Sequence, residues 1–100
     1  MPDFVGERYI AGAARADALL QAERISLAVQ RMGSEGSPVT LLSTTFVPNE
    51  EWVFDVFRAE SVEQVRAVYS AAAVPVERVT EGVHLPGPPG PSRTAPPKEP

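Results

Sequence analysis

The chain has 100 residues, a formal net charge of −4 and no cysteine. This length allows one domain, and the lack of cysteine excludes disulfides, thiolate metal sites and cysteine nucleophiles. The acidic balance argues against a nucleic-acid partner, and no basic cluster or long apolar run points to a membrane. Because the first residues also lack the pattern of a signal peptide, we expect a cytoplasmic protein.

The last fifteen residues, PGPPGPSRTAPPKEP, hold seven of the eleven prolines and no apolar side chain larger than alanine or proline. Such a segment cannot bury enough surface to offset the entropy lost on ordering. We therefore predict a folded domain over residues 1–85 and a disordered Pro-rich tail over residues 86–100. A domain of this size is marginally stable on its own, which favours a homodimer.

The first half of the domain predicts a strand followed by a helix. Phe4 to Ile10 is a strand candidate. Ala13 to Met32 is rich in helix-forming residues and carries one apolar face. Gly33 is predicted to end this helix as a left-handed C-terminal cap.

The second half predicts two strands, a helix and a last strand. Val39 to Val47 and Glu51 to Arg58 are strands joined by a turn. Ser61 and Gln64 match a capping box and start a helix that runs to about Ala73. Pro75 ends that helix, and residues 76–85 form the fourth strand.

The resulting βαββαβ order predicts a ferredoxin-like α+β fold. We expect a four-stranded antiparallel sheet in the order 4-1-3-2, with two helices on one face. The other face has no helix, and a second subunit is the simplest cover for it.

Four stretches of the sequence suggest a family. They are FVGERY at residues 4–9, STTFVP at 43–48, FRAES at 57–61 and PVERVTEGVH at 75–84. Together they resemble a family of small bacterial ferredoxin-like proteins of unknown function, some of which bind or respond to nickel. The resemblance implies dimers and metal binding through oxygen and imidazole ligands. Members often have cysteines where this chain has Val53-Phe54-Asp55, so Asp55 would supply an oxygen ligand instead.

Two carboxylates stand out within strands. Glu7 shares a strand face with Val5 and Tyr9, and a structural pairing with an arginine competes with a ligand role. Asp55 interrupts an otherwise apolar strand. If it is buried, it must be paired, protonated or bound to a metal.

Glu81 and His84 lie three residues apart on the last predicted strand, so alternation places them on opposite faces. His84 is the single histidine, and it can act as a ligand only if a bulge or a second subunit supplies neighbours. The simplest alternative is an exposed residue or a dimer contact.

The main hypothesis from the sequence is therefore a non-enzymatic homodimer that binds a divalent metal, nickel first. Its metal ligands would come from Glu7, Asp55, Glu81 and His84. The alternative is a cofactor-free enzyme or small-molecule binder of the dimeric α+β-barrel type, with an organic ligand near Tyr9, Trp52 and Asp55. A regulatory interaction module with the tail as its handle is a third possibility.

Overall fold

The computed structural model describes residues 1–12, 14–83, 85, 87 and 88. His84 and nearly all of the predicted tail lie outside the described residues. The chain forms six elements, which are β1 (Asp3–Tyr9), α1 (Arg15–Ser34), β2 (Thr40–Val47), β3 (Trp52–Arg58), α2 (Val62–Ala72) and β4 (Arg78–Gly82). The predicted βαββαβ order is confirmed.

The four strands form one antiparallel sheet in the order β2-β3-β1-β4. This is the predicted 4-1-3-2 order, with β1 and β3 at the centre. In β1, the buried residues Phe4, Gly6 and Arg8 alternate with residues on the opposite face. In β3, the buried residues alternate in the same way. One face of the sheet is therefore covered by the helices. No described element covers the other face, which we call the open face.

The edge strand β2 contains a bulge between Leu41 and Ser43. Leu41 is opposite Phe57 and Thr44 is opposite Asp55, so three steps along β2 match two steps along β3. The extra residue keeps both Leu41 and Thr44 on the helix-covered face, although their spacing is odd.

Helix α1 begins after Ala14, whose backbone N–H donates to the Asp17 carboxylate at 3.1 Å. The predicted stop at Gly33 is wrong, because the helix continues to Ser34. The left-handed residue is Gly36, with φ of 87°. The chain leaves the helix two residues before Gly36, where glycine adopts the left-handed conformation without steric cost.

Helix α2 starts as predicted at Ser61, whose hydroxyl oxygen accepts from the Gln64 backbone N–H at 3.1 Å. The Gln64 side chain reaches back to the N–H of Glu60, one residue earlier than a capping box requires. The buried face of α2 consists of Val65, Val68, Tyr69 and Ala72, which are spaced three and four residues apart as one side of a helix requires.

The hydrophobic core lies between the sheet and the two helices. Ile25 of α1, Val65 and Val68 of α2, and Phe57 of β3 are fully buried in it. The Arg24 side chain ties the helices together by donating to the backbone carbonyls of Ala72 and Ala73. Within the described part of the chain, no helix is both long enough and apolar enough to cross a membrane.

The open face of the sheet carries a row of half-buried apolar side chains. Trp52, Phe54 and Val56 project from β3, and Val5 lies beside them on β1. Tyr9 is 47% exposed and packs edge-on against Trp52, with ring centroids 5.6 Å apart. The aromatic residues therefore divide between the core, which holds Phe57 and Tyr69, and this face.

Candidate functional site

A buried ion pair lies at the centre of the helix-covered face. Arg8 of β1 and Asp55 of β3 are 1% and 0% exposed, and Arg8 Nε is 2.7 Å from Asp55 Oδ2. The Arg8 Nη2 group donates to Asp55 Oδ1 at 3.1 Å, so the pair is bidentate. A buried Asp55 must be paired, protonated or bound to a metal, and the structure shows that it is paired with an arginine.

Two hydroxyl groups also donate hydrogen bonds to the Asp55 carboxylate. The Tyr69 hydroxyl donates to Asp55 Oδ2 at 2.6 Å, and the Thr44 hydroxyl donates to Asp55 Oδ1 at 2.8 Å. Arg8 in turn donates to the side-chain oxygen of Gln21 on α1. Among the described residues, no buried side-chain nitrogen or oxygen lacks a hydrogen-bond partner. The network is therefore fully satisfied, as a buried charge requires.

Gly6 makes room for this network on β1. It pairs with Asp55 across the sheet. A Cβ atom at Gly6 would overlap the Tyr69 hydroxyl oxygen and lie 2.7 Å from Tyr69 Cζ. The Tyr69 ring reaches Asp55 because position 6 has no side chain.

The surroundings of Tyr69 keep its hydroxyl protonated. Burial first, and then the negative charge of Asp55, raise the pKa of Tyr69 well above its ordinary value of about 10. The neutral hydroxyl can therefore donate to Asp55 throughout the physiological pH range.

This raised pKa predicts a loss of stability in alkali. The folded state binds the Tyr69 proton more tightly than the unfolded state. The contribution of Tyr69 to the free energy of unfolding is therefore fully present below about pH 10 and is lost as the pH rises beyond that value. Denaturant titrations from neutral to alkaline pH, with tyrosinate absorbance in parallel, measure this loss. Tyr69→Phe is expected to weaken the alkaline dependence more than Tyr9→Phe, because burial is the main cause that raises the pKa of Tyr69 and the smallest of the causes that raise the pKa of the exposed Tyr9. Equal alkaline slopes for the wild type and Tyr69→Phe would contradict the assignment.

A groove opens beside the network, between α1 and β2. Its volume is about 470 Å³, within the range of about 300–1,000 Å³ typical of small-molecule sites. It is lined by Arg15, Ala18, Leu19, Ala22, Thr44, Phe46 and Pro48. Thr44 belongs both to the groove wall and to the Asp55 network, so it connects the groove to the buried charge.

The residues expected to bind a metal are distributed over both faces of the sheet. Glu7 lies on the open face, and its Oε2 accepts from Arg78 Nη2 at 2.8 Å. Asp55 lies on the helix-covered face in the network above. Glu81 is exposed opposite Phe4 near the end of β4. His84 lies outside the described residues.

These positions do not fit one shared ion within one chain. Among the described residues, no group of three or more acidic or histidine side chains could hold a metal. The Asp55 carboxylate already accepts four hydrogen bonds from Arg8, Thr44 and Tyr69. A metal ion at Asp55 would have to displace those donors.

The alternative ligand position is also divided by the sheet. Tyr9 and Trp52 lie on the open face, whereas Asp55 lies beneath the helices. The prediction that these three residues surround one ligand is therefore wrong. The residues that sequence reasoning missed are Thr44 on β2, Gln21 and Arg15 on α1, and Arg8 as the partner of Asp55.

A second polar cluster joins the ends of β1 and β3 at the surface. The Tyr9 hydroxyl donates to Glu51 Oε1 at 2.7 Å, and the Gly12 N–H donates to Glu51 Oε2 at 2.8 Å. These two donors lower the pKa of Glu51. The cluster closes the loop that leads into α1.

Comparisons with known proteins bear on the fold alone. No protein-family model and no curated protein sequence matches the chain. The fold is similar to the crystal structure of SCO4226 from Streptomyces coelicolor A3(2), with a TM-score of 0.66 and 21% sequence identity. The similarity covers 85% of this chain and 99% of that chain. At this level of identity it supports the compact α+β fold.

Proposed function

We propose that this protein binds a small organic molecule in the groove between α1 and β2 and acts as a homodimer. The observation that carries the proposal is the groove of about 470 Å³, whose Thr44 wall is hydrogen bonded to a buried charged network. A mainly apolar cavity with a few fixed polar groups is the usual form of a small-molecule site. Binding without catalysis is the simplest activity for it.

The open face of the sheet supports the dimer. Its apolar side chains, Val5, Trp52, Phe54 and Val56, share one side of the two central strands. Partly exposed apolar side chains grouped on one face of a sheet favour burial against a partner. A second copy of the chain would cover it by two-fold symmetry and leave the groove on the opposite side of the sheet accessible.

The dimer is tested by sedimentation of the full chain over a range of concentrations. Phe54→Lys places a charge in the middle of the open face and is expected to give a monomer. Leu27→Lys on the outer side of α1, where Leu27 is 57% exposed, is the matched control and is expected to stay dimeric. A monomeric wild type, or a dimer that only Leu27→Lys disrupts, would contradict this arrangement.

Ligand binding is tested by a thermal-shift screen of small organic molecules, followed by amide chemical-shift mapping of the compounds that raise the melting temperature. We expect shifts in residues 15–22 of α1 and 44–48 of β2. Compounds that stabilise the protein but shift only the open face of the sheet would place the site elsewhere. A screen with no stabilising compound would remove the groove as a ligand site.

Divalent metal binding, with nickel first, is the second proposal. The family resemblance suggests it, and one position favours a form that depends on the dimer. Glu7 lies on the open face of a central strand. A dimer with its two-fold axis near this position would supply a second Glu7 carboxylate, and a metal ion between the two would displace Arg78 from Glu7. His84 from either subunit would add the imidazole nitrogen that nickel prefers.

Calorimetric titration with nickel tests this second proposal. Glu7→Gln and His84→Ala are each expected to weaken binding by about tenfold or more. Glu81→Gln serves as the control for an exposed carboxylate on the other face. The absence of binding heat in the wild type, or equal heats in all variants, would exclude this site.

A further inference from the structure

We propose that the groove ligand is an apolar carboxylate with a hydroxyl or amino group at its far end, bound by Arg15 at one end and Thr44 at the other. This inference rests on the proposed function and names the class of ligand. It follows from the direction of the hydrogen bond at Thr44, the charge of Arg15 and the apolar character of the other residues that line the groove.

The direction of the hydrogen bond at the Thr44 hydroxyl is determined by its partner, Asp55. An ionised carboxylate only accepts hydrogen bonds, so the Thr44 hydroxyl must donate its proton to Asp55 Oδ1 at 2.8 Å. The same carboxylate forms a bidentate ion pair with the Arg8 guanidinium, with Arg8 Nε 2.7 Å from Asp55 Oδ2. The Thr44 oxygen can then only accept from the groove. A ligand group that meets it must be a donor, such as a hydroxyl or an amine.

The positive charge at the groove comes from Arg15, the first residue of α1. Its guanidinium is exposed, and among the described residues it forms no ion pair. The nearest acidic residue of the same helix turn, Asp17, binds the Ala14 amide. An arginine at a groove lining binds a carboxylate with the two-pronged geometry that a lysine cannot match.

The rest of the groove lining is apolar. It consists of Ala18, Leu19 and Ala22 from α1, together with Phe46 and Pro48 from β2 and its following turn. Leu19 is 55% exposed in the free protein, so a ligand would shield it from water. The volume of about 470 Å³ admits one ring with a short side chain.

The test uses four probes that vary the two ends independently. They are para-hydroxyphenylpropionate, phenylpropionate, para-hydroxyphenylpropionamide and phenylpropionamide. Affinities for the full-length protein are measured by chemical-shift titration. The hydroxy acid is expected to bind best, and the loss of either polar end is expected to weaken binding by about tenfold.

Variants assign each end to its residue. Thr44→Val is expected to remove the preference for the hydroxyl group and keep the preference for the carboxylate. Arg15→Gln is expected to do the reverse. Thr45→Val, one residue along the same strand on the open face, and Arg31→Gln, in the last turn of α1, are the matched controls. Melting curves establish that each variant is folded.

The outcomes separate this inference from the proposed function. If all four probes bind in the groove equally, or if only the neutral amides bind, the groove is a ligand site but the ligand class is wrong. If none binds while other organic compounds shift the groove residues, the ligand class again fails. If shifts of the groove residues depend only on protein concentration, a second copy of the chain occupies the groove and both proposals fail.

Discussion

Replacing Gly6 by alanine is expected to lower the free energy of unfolding by about 3 kcal/mol. The new methyl group would occupy the space of the Tyr69 hydroxyl, and Tyr69 Cζ would lie 2.7 Å from it. Tyr69 must then move away from Asp55, which loses one of its donors. Neither the backbone of a central strand nor the fully buried ring can move without disturbing the core.

Gly33→Ala is the matched control for this substitution. Gly33 lies within α1, and no heavy atom lies within 4 Å of the position that a Cβ atom would occupy. Because alanine is the better helix former, this variant is expected to gain about 0.5–1 kcal/mol. Equilibrium denaturation of both variants gives the comparison. A Gly6→Ala protein as stable as the wild type would show that Tyr69 is not confined as described.

Asp55→Asn is expected to cost about 3–5 kcal/mol, because it leaves the Arg8 guanidinium buried without a counter-charge. The side chain keeps its shape, so the loss reports charge rather than volume. Denaturant unfolding at neutral pH measures it. Arg8→Met in the Asp55→Asn background removes the unpaired charge and is expected to recover part of the loss.

The chain contains a natural control for this experiment. Asp3 and Arg58 form a second bidentate pair between the same two strands, with Nε to Oδ1 at 3.0 Å. That arginine is 48% exposed, whereas Arg8 is 1% exposed. Asp3→Asn is therefore expected to cost less than about 1 kcal/mol. Similar losses for the two asparagine variants would mean that burial does not determine the strength of the pair.

The fold could be predicted because its main signals are local in sequence. The buried face of α2 follows from the spacing of Val65, Val68, Tyr69 and Ala72, and its start follows from Ser61. The end of α1 is harder to predict because Gly33 and Gly36 both allow a left-handed residue, and sequence alone does not choose between them. Tertiary contacts and the geometry of the following loop decide.

The site was only partly predictable. Asp55 was recognisable as an anomaly within an apolar strand, but its partner depends on strand register, which joins residues 47 positions apart. A signal was present in β1, where Phe4, Gly6 and Arg8 alternate on one face. A glycine and an arginine in the buried row of a central strand indicate a close approach and a buried charge.

The bulge in β2 has a consequence for how related chains could differ in length. It lies between Leu41 and Ser43, before the strand reaches the groove. Deleting Leu42 would remove the unpaired residue and leave Leu41 and Thr44 on the faces they occupy now. Deleting the residue between Thr44 and Phe46 would instead move every later side chain of β2 to the opposite face of the sheet. A one-residue deletion in this edge strand is thus compatible with the groove at the bulge.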